Sequence, residues 1–189
     1  MARFKKAVIT EKGLALVTKV QMGSTTLKFT KIATGAGSYG DEDVGNRTEL
    51  KDKKQEFSLS SISVVDNDTV KLRAVISNAG LETGYYIREI GLFAQDPDEG
   101  EILYSLAVAY DGQWDYLPAE SEVSPSTINL DTFSSVANAS TVTIQGGTGA
   151  YASAADLEAL RKLVEEHYKV IFGPETAEIE NGTILFCTG

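Results

Sequence analysis

Histidine and cysteine are almost missing from this chain: each occurs once among 189 residues, as His167 and Cys187. A lone cysteine cannot close an internal disulfide, which fits synthesis in a reducing compartment. A zinc centre built from His and Cys lacks its ligands. A Ser-His-Asp triad would have to use His167, and the Gly-x-Ser-x-Gly elbow that presents a nucleophilic serine is absent. No apolar run approaches the roughly 20 residues that cross a bilayer as a helix. The start, Met1-Ala2-Arg3-Phe4-Lys5-Lys6, is basic but has no continuous apolar stretch behind it, so no signal peptide is expected. Basic residues are also scarce, 17 against 27 acidic, for a formal charge of −10. That surplus repels phosphate, so neither nucleic acid nor membrane is an expected partner. No cofactor and no metal are expected. The chain is read as a non-enzyme, and carboxylate-pair chemistry is the one class that composition leaves open.

With 42% hydrophobic residues, the chain is long enough to bury a core without disulfides or metals. Thr10 stands where it can cap a helix in which Leu14, Val17 and Val20 recur at helical spacing, up to Gly23. Gly13 inside the first turn costs that helix up to about 1 kcal/mol. A strand follows over Thr26–Ala33, then a Gly- and Asp-rich loop from Thr34 to Asn46. Phe57–Val65 and Thr69–Ile76 form a hairpin across Asp66-Asn67-Asp68, with Val70, Leu72, Ala74 and Ile76 on one face. Further strands are expected at Tyr85–Ala94, Glu101–Tyr110, Thr127–Ser135 and Thr141–Ile144. Gln145–Ala150 reads as a flexible joint. Beyond it, Ser153 caps a helix from Ala154 to about Tyr168, and Asn181-Gly182 joins Ala177–Glu180 to Thr183–Phe186 as a hairpin. The expected class is therefore α+β: an N-terminal helix with an antiparallel β-rich head over residues 1–145, a Gly-rich hinge at 146–152, and a small helix-plus-hairpin tail over 153–189.

Gly35-Ala36-Gly37-Ser38-Tyr39-Gly40 matches the dinucleotide fingerprint and follows a strand. Asp41, Glu42 and Asp43 then stand where a pyrophosphate would sit, and no helix continues, so the reading is a mobile surface loop. Asp96–Glu101 misses the calcium-loop register and reads as a hairpin turn. Arg88 and Glu89 interrupt an apolar strand. As neighbours they point to opposite faces and cannot pair with each other, so a structural ion pair with partners elsewhere is expected, or else a subunit contact. In the second helix Leu157, Leu160, Val164, His167 and Ile171 recur at steps of three and four. This seam serves either self-association or packing on the chain's own hairpin.

The residues then become familiar. Ala7–Leu16 followed by Leu27–Gly35 resembles the start of phage tail fibre proteins of contractile tails. Ala74–Asn78 through Gly84–Ala94 is similar to that family's most distinctive segment, Asp98–Tyr104 follows in register, and Asn138–Ile144 resembles the end of the same N-terminal domain. The resemblance, also to tail-collar fibre proteins and tail-like bacteriocins, implies a structural part that attaches a fibre to the baseplate. It implies a homotrimer, with baseplate proteins and a distal fibre or receptor-binding protein as partners. The location it implies is the tail tip of a virion or phage-tail-like particle assembled in the bacterial cytoplasm. Only about 40 residues follow the hinge, which favours a short adaptor or shortened fibre. Two rival readings remain: carbohydrate recognition by Trp114, Tyr110 and Tyr116 around Asp111 and Asp115, and a carboxylate-pair glycosidase.

Overall fold

Val70, Leu72, Ala74 and Ile76 occupy alternate positions of one strand, and all four are buried. Ile90, Leu92 and Ala94 repeat the pattern on another, so the apolar sides of these strands must meet across a shared interior. The computed structural model describes residues 3–123, 127–136, 142–144, 160–162, 170–172 and 184–186. The chain divides into two compact units, Met1–Ala150 and Tyr151–Gly189.

The larger unit contains β1 (Val8–Ile9), α1 (Glu11–Gln21), β2 (Lys28–Gly35), β3 (Lys53–Val64), β4 (Thr69–Ser77), β5 (Tyr85–Ile87), β6 (Glu89–Asp96), β7 (Gly100–Val108), β8 (Asp115–Leu117), β9 (Thr127–Ser135) and β10 (Thr143–Ile144). Its main sheet runs β1-β7-β6-β2-β3-β4-β9 with every neighbouring pair antiparallel, while β10 lies parallel to the start of β2. β5 and β8 form a separate antiparallel pair. The sheet curls into a half-barrel. Inside the curl Phe29 meets Tyr104 edge-on at 5.1 Å, among Leu16, Ile32, Leu59 and Leu72, all essentially unexposed. The outer face of β2, β6 and β7 is covered too, by Tyr39 and Leu50 lying on Ala33, Leu103 and Leu106.

The α+β expectation is overturned: 49% of the described residues are strand and 10% helical. Among the described residues the helices are α1 and a turn at 160–162. The sheet encloses its core by curling on itself, so no layer of helices is required, and α1 lies along β7 with Leu16 in the core. In the smaller unit β11 (Val170–Phe172) pairs parallel with β12 (Ile184–Phe186), and the expected hairpin across Asn181-Gly182 lies outside the described residues. Residues 177–183, the joint at 146–152 and most of the 154–168 segment lie outside the described residues.

The docking of α1 explains its glycine. The Thr10 hydroxyl accepts from Gly13 N–H at 3.0 Å as an N-cap and donates to Leu103 O on β7 at 2.5 Å, while the Thr10 amide donates to Tyr104 O at 2.9 Å. A Cβ on Gly13 would stand 2.3 Å from Tyr104 O. The other end is moored by Lys19, whose ammonium lies 2.8 Å from Asp96 and from Asp98 in the β6–β7 turn. Asp96 also accepts the amides of Asp98 and Glu99, at 2.8 and 3.1 Å, which closes that turn.

Two outcomes follow from these moorings. Gly13→Ala should destabilise the protein by about 2 kcal/mol in urea unfolding, although alanine ordinarily favours a helix by about 1 kcal/mol, because overpacking against β7 outweighs propensity. Burial by itself would raise the Asp96 carboxyl, but the Lys19 ammonium and the two amides outweigh it and hold the group below its ordinary 3.8. A depressed folded value means stability that is present above 3.8 and lost as pH falls through the folded value. Asp96→Asn should therefore melt lower than the native chain at neutral pH, with the gap closing as thermal scans are taken below pH 3.8.

Candidate functional site

Between Ile87 and Glu89 the chain leaves one sheet and enters another, with Arg88 as the hinge residue. Its amide donates to Gly35 O at 2.9 Å and its carbonyl accepts Ala109 N–H at 2.8 Å, so both neighbouring strands fix the step. Residues on either side of a peptide bond in extended chain face opposite ways. Glu89 accordingly points under the 36–52 segment, while Arg88 points out onto Trp114.

Glu89 is completely buried. Oε1 accepts the amides of Gly37 at 2.9 Å and Asp52 at 2.8 Å; Oε2 accepts the Lys51 amide at 3.0 Å and a short bond from the Tyr39 hydroxyl. Four converging donors replace the water that a carboxylate loses on burial. A Cβ on Gly35 or Gly37 would stand 2.3 or 2.6 Å from Oε1. The glycines of the fingerprint therefore do cradle an anion, and the anion is the protein's own. This corrects the reading of a mobile surface loop, since Tyr39 and Leu50 are buried against the sheet. Burial, together with the bond to Glu89, pushes the Tyr39 phenol well above its usual value.

The Arg88 guanidinium lies 4.3 Å from the centre of the Trp114 ring, and its buried Nε has no hydrogen-bond partner. Among the described residues neither Arg88 nor Glu89 makes an ion pair. The carboxylate is satisfied by amides and a phenol, and the guanidinium by an aromatic face. Tyr86 on β5 stands directly opposite Tyr116 on β8, with ring centres 5.1 Å apart, and meets Trp114 edge-on at 6.2 Å. The alternation that exposes Tyr86 and Tyr116 buries Tyr85, Ile87 and Leu117 beneath them. Tyr85 fixes this pair to the main sheet through hydrogen bonds to Thr34 Oγ1 at 2.6 Å and Gln55 Oε1 at 3.1 Å. Tyr110, beside this group in sequence, has Arg3 at 5.8 Å from its ring. The result is a surface face of exposed Tyr86 and Tyr116 with half-buried Trp114 and Arg88 on a rigid mount, the composition that dominates the energetic centres of protein interfaces.

Sequence reasoning singled out Trp114 and Tyr116, which this face brings together, but missed Tyr86. The signal was available, because in a strand where Tyr85 is buried its neighbour must point outward. Of the expected seam, Leu157, Val164 and His167 lie outside the described residues. Leu160 is exposed in the turn at 160–162, and Ile171 belongs to β11, a strand rather than a helix. Among the described residues no group of three or more His, Cys, Asp or Glu is placed to hold a metal.

The family described as phage tail-collar fibre protein, N-terminal, matches residues 1–154. No curated protein matches the chain, and no solved structure does. The chain belongs to the phage tail-collar fibre family, a family of structural proteins of the phage tail.

The Glu89 arrangement carries its own test. Glu89→Gln keeps size and shape but turns an NH2 group toward buried donors. It should cost about 3 kcal/mol in urea unfolding, because at least one pair of charge-assisted bonds is replaced by opposed donors. Amide exchange over residues 36–52 should rise by more than exchange in β4 and β9.

Proposed function

We propose that this tail-collar fibre protein is an attachment part of a contractile tail, whose β-rich head docks onto the baseplate through the aromatic face of Tyr86, Trp114 and Tyr116. The observation that carries the reading is the Arg88–Trp114 stack. A large aromatic and a guanidinium are held in one orientation at the surface by a backbone step that two strands fix. Such pre-ordered anchors lose little side-chain entropy when a partner covers them. A structural role needs this kind of surface and does not need a cleft of titratable groups. The same reading makes the assembly a homotrimer, with the Tyr151–Gly189 unit meeting a distal fibre or a receptor-binding protein.

Tyr86→Ala should leave the melting temperature close to native, since this exposed ring lies on the outer side of β5, and Trp114→Ala should lower it while the protein stays folded, since that half-buried ring covers Arg88. For both, incorporation into purified tails should fall about tenfold or more, the consequence of losing at least about 1.4 kcal/mol at an interface centre. Normal incorporation of both variants would remove the aromatic face from the contact. Glycan binding by the native chain that Trp114→Ala abolishes would replace docking with carbohydrate recognition. A monomeric mass in solution would remove the trimer.

A further inference from the structure

The main sheet does not close. Going from β1 to β9 there are six successive antiparallel pairings, an even number, so the two edges of the half-barrel run in the same direction. The curl brings these edges alongside each other. Two adjoining hollows of about 360 and 250 Å³ separate residues 4–9 from β9, and both are bordered by Lys6, Ala7, Phe133 and Ser135. At one end Tyr104 of β7 reaches across and donates to Ser135 O at 3.0 Å, which holds the gap at a fixed width.

The backbone lining this slot is unpaired among the described residues. Val136 N–H bonds to Asp68 O at 2.7 Å, and this sets the alternation of the β4–β9 ladder. Ser134, Thr132 and Leu130 therefore bond inward to β4, and Asn129, Asp131 and Phe133 turn their amides and carbonyls to the slot. On the opposite rim the Thr10 amide bonds to Tyr104 O, so by the same alternation Ala7 and Ile9 face the slot. The floor is apolar, with Ile90, Ala107 and Leu130. The outer rim carries Lys5, Lys6, Lys71 and Arg73; Asp131 is held by Arg73 at 2.6 and 2.9 Å, and of Glu42 and Asp43, which border a hollow with Lys5 and Lys6, Glu42 is paired with Lys51, so basic groups stay in excess. This is a basic strip on a chain of net charge −10.

We propose that the slot is a strand-acceptor site, filled by one extended, acidic, amphipathic segment of a partner polypeptide. Only a strand running antiparallel to both rims completes the alternation. Its inward residues would be apolar to meet the floor, and its outward residues acidic to meet the basic strip. The site is separate from the aromatic face and stands or falls without it. An exposed nine-residue edge such as β9 is otherwise an invitation to unspecific pairing, and occupation by a defined segment removes that hazard.

The test uses the full chain and acetylated synthetic peptides of about eight residues, alternating Val with Glu and Thr or Val with Lys and Thr, read by fluorescence anisotropy. The acidic peptide should bind about tenfold or more tightly than the basic one. Phe133→Pro removes an amide that faces the slot and leaves the ladder to β4 intact, so the protein should melt near the native temperature and bind the acidic peptide at least about tenfold more weakly. Independently of any variant, N-methylation of the peptide at every second residue should weaken binding at least about tenfold in either phase, because each phase removes the donors that face one rim. No binding of the acidic peptide, equal binding by Phe133→Pro, equal binding of the basic peptide, or indifference to N-methylation in either phase would overturn the assignment. Sedimentation showing that the native chain dimerises and Phe133→Pro does not would overturn it in favour of a second copy as the occupant.

Discussion

The carboxylate of Glu89 is the point from which the rest of the head is arranged. It leaves β6 at the first residue of the strand, enters a space that only Gly35 and Gly37 can leave open, and gathers the amides of Gly37, Lys51 and Asp52 with the hydroxyl of Tyr39. Those donors come from both ends of the long connection between β2 and β3. A segment rich in Gly and Asp thereby becomes a cover for the outer face of β2, β6 and β7, with Leu50 and Tyr39 as its apolar contribution. The same anchoring fixes the preceding residue. With Glu89 committed inward, Arg88 must point outward, and Trp114 and Tyr86 collect around it.

Curvature is the second constraint. A sheet whose strands bury side chains on the inside, with a covering loop outside three of them, cannot remain flat. Bulges at Thr34/Gly35, Phe29/Lys31, Leu59/Ser61 and Leu92/Phe93 fall in successive strand pairs across the middle of the sheet and add local bend. Closure stops one strand short, leaving two parallel edges that cannot satisfy each other by the antiparallel pattern used everywhere else along the path. Helix α1 lies along β7, moored by Thr10 near the strand's middle and by Lys19 at the β6–β7 turn, and puts Leu16 into the core.

How much of this was legible follows from where each determinant is written. β9 spans Thr127–Ser135 as its sequence suggests, and the Val70–Ile76 face was readable because side-chain alternation is itself a sequence pattern. The Thr10 cap was readable for the same reason, since a hydroxyl before a helical repeat is a local signal. The curl was not, because it is set by the summed twist and by bulges that no residue type announces. The single expected strand Tyr85–Ala94 breaks at Arg88 because β8, three residues inside an apparent loop, captures its first part. The Glu89 site was hidden most completely. Its donors are mostly backbone amides, which carry no letter in a sequence, and its two glycines resemble a cofactor motif because the physical requirement of close backbone approach to an anion is the same.

A buried carboxylate is an expensive way to hold a loop if stability is the only aim, since an apolar side chain of the same volume would avoid the desolvation cost. What an apolar contact lacks is direction. Leu at this position would tolerate several arrangements of residues 36–52, whereas two oxygens receiving four donors admit one. For a part that must present Trp114, Tyr86 and Tyr116 to a fixed surface, a looser loop would shift Gly35, whose carbonyl holds the Arg88 amide, and with it the whole aromatic face. The energetic cost of burying Glu89 is thus matched to the requirement of a docking part: contacts between large rigid pieces depend on the position of a few anchors, and a sub-ångström shift at Gly35 is passed directly to the ring that Arg88 covers.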